Sequence, residues 1–188
     1  MAINNDIVIL GKRIAAEYGW PAAKAFKAYE MGDADRAALS RCAIDLLSLL
    51  PPAADAAQMS AALAVGLERC IAAPIFVVSG TLAVNGVPVF GPSDSDESPA
   101  DASGHTWIMV GPYVVDIALF RLAFSAQAPA LLTKHINLVF GPGKALYVDH
   151  WHKTRLMGLT YQPHSVLNEA EITRLMGDAF HLIKQARG

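Results

Sequence analysis

Charge, cysteine and long apolar runs are all scarce in this chain of 188 residues. Only 17% of the residues are charged, and 15 Lys and Arg nearly balance 17 Asp and Glu, leaving a formal charge of −2. No basic surplus is on hand to neutralise a phosphate backbone, so nucleic acid is not an expected partner. No stretch reaches the roughly 18 apolar residues of a membrane span. Near the N-terminus the apolar run IVIL ends at Lys12 and Arg13, too short for the core of a secretory signal, so a cytoplasmic location is expected. Two cysteines, Cys42 and Cys70, cannot build a disulfide framework, and in a reducing compartment both are expected as free thiols.

What the chain has instead is apolar residue, 53% of the total, which argues against disorder. Its length is that of one domain, 1–188, large enough to bury a core. Apolar spacing predicts helices over about 5–18 and 22–30, with Trp20-Pro21 as a boundary. A third helix runs from Asp33 or Asp35 to Leu50, with Leu39, Ile44, Leu46, Leu47 and Leu50 expected to face the core, and Pro51-Pro52 stops it. Asp55 followed by Gln58 reads as a reciprocal cap opening a fourth helix that reaches about Cys70.

After that the period changes from helix to strand. APIFVVSGTLAVNGVPVF is rich in β-branched residues, and Asn85-Gly86 is a strong hairpin signal. Residues 91–103, GPSDSDESPADAS, form a polar acidic loop, either a flap over a site or a solvated connection. Strands are expected at about 105–110 and 113–119, a further one near 145–148, and an amphipathic helix over about 168–186. The fold class is therefore α+β, with N-terminal helices packed on an antiparallel sheet and a C-terminal helix. Within the domain, residues 1–54 are expected to be helical, 55–120 to supply a core helix and sheet, and 121–188 to form a helical extension.

GHTWIMVGPYVVDIA, residues 104–118, holds the chemistry. With the turn centred on Gly111-Pro112, Val110 faces Tyr113 and Trp107 faces Asp116. Alternation then puts His105, Trp107, Met109, Val114, Asp116 and Ala118 on one face, and Thr106, Ile108, Val110, Val115 and Ile117 on the other, core-facing side. His105 and Asp116 become diagonal neighbours within reach of one another. An aspartate there can accept the Nδ1 proton and hold the ring while Nε2 acts as a base, or the two can simply satisfy each other in the interior.

GHTWIMVGPYVVDIALF resembles the second and third strands of the transglutaminase-like, papain-like cysteine enzymes, in which H-x-W opens one strand and Asp ends the next. FVVSGTLAVNG is similar to their first strand. The resemblance covers about residues 55–120. It implies a transglutaminase-like core, His105 as general base, Asp116 as its orienter, and thiol acyl transfer or amide hydrolysis on a peptide or other amide-containing substrate, without a cofactor. The family nucleophile is a cysteine at the start of the helix before the first strand. Here that helix opens DAAQMSAAL, with Ser60 the nearest nucleophile, whereas Cys70 lies at its far end. Cys42 fits if the third helix is the central one. Cys42, Ser60, Cys70 or no nucleophile at all stay open, and a degenerate member that binds a protein partner without catalysis is the alternative. Trp107 either walls a substrate pocket or fills the core.

Other candidates are weaker. Asp149-His150-Trp151-His152 puts two histidines two residues apart, a pattern that needs a third ligand before it can hold a metal; no metal is expected. Asp94-x-Asp96-x-Ser98 starts like a calcium loop but has Pro99 where Gly is required. GPGK at 141–144 lacks the spacing of a phosphate loop and reads as a turn.

Overall fold

Gly19, with φ of 87°, ends α1 (Ile3–Tyr18) and lets Trp20-Pro21 begin α2 (Trp20–Ala28), since proline is tolerated in a first turn. This is a computed structural model that describes residues 3–91 and 104–188. The second helix thus starts at the expected boundary, two residues earlier than the spacing predicts. α3 (Asp33–Leu49) is followed by Pro51. Its last carbonyls, which have no helical partner, are met by Arg121, whose guanidinium donates to the carbonyls of Leu47 at 3.2 Å, Leu50 at 3.3 Å and Pro51 at 3.1 Å. α4 (Ala56–Glu68) opens with the expected reciprocal cap: Gln58 N–H donates to Asp55 Oδ1 at 2.8 Å, and Asp55 N–H donates to Gln58 Oε1 at 3.0 Å.

Leu39 and Leu50 are buried, but Ile44 is 61% exposed. The core stripe of α3 runs through Leu39, Ala43, Leu46 and Leu50, spacings of three and four that leave Ile44 on the outer side. That corrects the expectation for Ile44.

The sheet is antiparallel throughout and built around one long strand, β1 (Ile75–Val84). Asn85 and Gly86, both at positive φ, turn it tightly into β2 (Val87–Phe90). β3 (His105–Val110) and β4 (Tyr113–Asp116) form the expected hairpin, with Val110 opposite Tyr113 and Ile108 opposite Val115. After α5 (Leu119–Ala123) and α6 (Ala130–Val139) come β5 (Tyr147–His150), α7 (Trp151–Thr154), β6 (Leu159–Val166) and α8 (Glu169–Arg187). β6 runs along one edge of β1, from Val78↔Val166 to Val84↔Leu159. The other edge takes β3 along Ile75–Gly80 and then β2 along Leu82–Val84. β4 and β5 extend the sheet beyond β3.

Both faces of this sheet are core. Phe76, Val78, Leu82, Trp107, Met109, Val114, Tyr147 and Tyr161 pack with α1, α2, α5 and α6. Val77, Ile108, Val110 and Val115 pack with α3, α4 and α8. All six residues of β3 are buried, which is why its sequence reads as a nearly continuous apolar run. The sequence spacing leads one to expect a single core face, and it gives no sign of β6. Residues 121–188, expected as a helical extension, supply two of the six strands. Among the described residues no helix is long and apolar enough to cross a membrane.

Gly80 marks where β1, β6 and Trp107 meet. An added Cβ would lie 1.9 Å from the Gln162 carbonyl oxygen and 3.0 Å from Trp107. Gly80→Ala is expected to destabilise the fold by about 3 kcal/mol, the upper end for overpacking, read as a lower urea midpoint with an unchanged slope.

Candidate functional site

β4 stops at Asp116 because the side chain redirects the backbone. Oδ1 accepts the N–H groups of Ala118 and Leu119, each at 2.9 Å, and turns the chain into α5. This ends the strand three residues short of its expected end and moves Ala118 to the opposite core. Oδ2 accepts the Tyr161 hydroxyl at 2.9 Å and Nε2 of His105 at 2.6 Å. The carboxylate is fully buried, and its four acceptor positions are filled. Burial, and then the charge of Asp116, push the Tyr161 phenol well above its ordinary range, so it stays a donor.

His105 is fixed on its flat sides as well. Its ring stacks between Phe90, with centroids 5.5 Å apart, and Trp107, at 6.2 Å, both tilted by 20°. Nε2 faces Asp116, which reverses the expected assignment: the free nitrogen is Nδ1. Among the described residues Nδ1 is buried without a partner, a condition that costs about 1–3 kcal/mol when nothing fills it. Beside the ring is a cavity of about 130 Å³, lined by Asp55, Ala56 and Ala57 at the start of α4, by Phe90 and Gly104, and by His105 itself.

The other candidates lie elsewhere. Cys42 faces a cleft of about 620 Å³ between α3 and the C-terminal half of α4, shared with Gly66, Cys70 and Met176. From Ala57 to Gly66 the helix rises about 14 Å at roughly 1.5 Å per residue, so the expected pairing of Cys42 with His105 is not formed. Burial, followed by the neighbouring Cys70, pushes the Cys42 thiol up, the opposite of activation. Ser60 is buried and donates to the Thr106 carbonyl at 3.0 Å. Trp107 has no exposed surface and packs edge-on to Tyr161 at 5.1 Å; it fills the core. His150 and His152 stack at 5.1 Å, and among the described residues no third ligating side chain joins them. Residues 92–103, with the acidic loop and its calcium-like pattern, lie outside the described residues.

Comparison of the chain with protein-family models, with curated proteins and with solved structures found no match.

Tyr161 and Arg121 escape a reading of the sequence alone. Alternating Leu159, Tyr161 and Pro163 is the one local signal for Tyr161, and the proline masks it. Pro163 is tolerated because, among the described residues, β6 pairs only with β1 and its other edge makes no ladder bonds.

Asp116→Ala strands four donors and is expected to cost about 3–5 kcal/mol, whereas Tyr161→Phe removes one and costs about 1 kcal/mol, both read by chemical denaturation. Tyr18, Tyr29, Tyr147 and Tyr161 all have raised values, chiefly through burial. Unfolded tyrosines release protons near pH 10 that these four retain, so stability is expected to fall as pH rises beyond about 10. Absorbance at the tyrosinate band should rise together with unfolding.

Proposed function

We propose that the chain is a binding module on a transglutaminase-like frame, one that keeps the histidine and aspartate and does not act as a thiol enzyme. The observation that carries this reading is the distribution of thiols along α4. The end facing His105 presents Ala56 and Ala57, and both cysteines of the sequence sit by the other end. A thiolate mechanism needs sulfur within hydrogen-bond reach of the imidazole. The His105–Asp116 pair still orders a cavity, and a peptide or other amide-bearing partner is the class of ligand implied by the resemblance. Free thiols on Cys42 and Cys70 suit a reducing, cytoplasmic compartment.

The test is alkylation of the native protein and of His105→Ala by iodoacetamide across pH, with each adduct mapped by mass. Cys42 and Cys70 are expected to react slowly below pH 8, at rates the substitution leaves unchanged. A cysteine that reacts fast below pH 7 and slows without His105 would restore the acyl-transfer reading and sink this one.

A further inference from the structure

The cavity beside His105 has a polarity of its own. Its floor is the N-terminus of a 13-residue helix, where the amides of Ala56 and Ala57 find no acceptor among the described residues. Those groups carry the positive end of the helix dipole. His105, 1% exposed, also lines it, with Nδ1 unpartnered among the described residues and Nε2 held by the Asp116 carboxylate. Two independent features, orphan amides and an orphan buried ring nitrogen, therefore converge on one small space. Phe90, Ala56, Ala57 and Leu122 supply apolar lining, and Thr106 is the remaining polar residue beside Asp55 and His105. Asp55, the one acidic side chain in the lining, already turns Oδ1 into the Gln58 N–H. The space, about 130 Å³, takes a carboxylate on a short alkyl stem.

We infer that this cavity binds a carboxylate group, one oxygen on the α4 amides and the other on Nδ1 of His105. The inference rests on the binding reading above and names the chemistry of its ligand. A carboxylate that binds brings in one proton, which is held on Nδ1 between ring and oxygen, so no covalent bond forms or breaks. Small carboxylic acids and the free C-terminus of a peptide share this chemistry.

The full-length protein, labelled with ¹⁵N, is titrated with propionate, with propionamide, and with a short apolar peptide carrying either a free or an amidated C-terminus. Propionate is expected to shift the Ala56 and Ala57 amides downfield with a millimolar Kd, and propionamide to leave them unmoved. His105→Ala should weaken binding by about tenfold or more. Ala56→Pro removes one amide at a position where proline is tolerated, and should weaken it independently if the histidine variant fails to fold. A free-ended peptide that binds more tightly than propionate identifies a polypeptide terminus as the source; equal affinities identify a free acid. Absence of shifts at Ala56 and Ala57, or equal binding of acid and amide, overturns the carboxylate site. Neither result touches the thiol distribution, so the binding reading stands or falls on the alkylation experiment alone.

Discussion

Asp116 accepts hydrogen bonds from three separate regions of the chain: the turn into α5, the start of β3 and the middle of β6. A buried carboxylate is expensive unless every lone pair is met, and here all four positions are. Strand order follows from this constraint. β6 lies on the far side of β1 from β4, yet its Tyr161 reaches Asp116, so the sheet must curl to bring its two ends together over Trp107. Tyr147 of β5 stacking on Tyr161 at 6.3 Å closes the same curl. The site and the fold are one object at this point, and His105 is oriented by interactions the sheet needs in any case.

That coupling bears on what a histidine–aspartate pair means. A pair whose polar atoms were all satisfied would be read most economically as interior structure. Asp116 meets that description and His105 does not. Its second nitrogen has no partner among the described residues, and the residue lines a cavity. One such orphan costs about as much as one or two ordinary hydrogen bonds contribute. The asymmetry between the two residues is what the proposed binding reading draws on.

Much of this was legible locally. Period-two alternation around Gly111-Pro112 determines the register that puts His105 near Asp116, because a one-residue slip would invert both faces. Asp55 with Gln58, and Asn85-Gly86, each specify their own backbone through short-range hydrogen bonds or positive φ. What escaped depends on distant partners. α3 is rich in alanine and carries leucines on several sides, so its helical phase is weakly encoded and Ile44 is easily assigned to the wrong face. Which imidazole nitrogen meets Asp116 depends on how Phe90 and Trp107 clamp the ring, and Phe90 comes from another strand. Cys42 is separated from His105 by the lengthwise docking of α3 on α4, to which no spacing within either helix bears witness.

The distribution of functional groups along α4 has a physical consequence. A helix favours anions at its N-terminus and cations at its C-terminus. Cys70 follows the C-terminal end and Cys42 packs against the same half, where the dipole disfavours a thiolate and burial has already raised the Cys42 thiol. The imidazole stands instead at the N-terminal end, beside the Asp55 cap and the first-turn amides that stabilise negative charge. Polarity and reactive sulfur therefore lie at opposite ends of one rod, about 14 Å apart at roughly 1.5 Å per residue. Side-chain rearrangement does not span such a distance. The N-terminal end of α4 already holds the Asp55 carboxylate, whose Oδ1 takes the Gln58 amide, so any further negative charge there is left to the amides of Ala56 and Ala57.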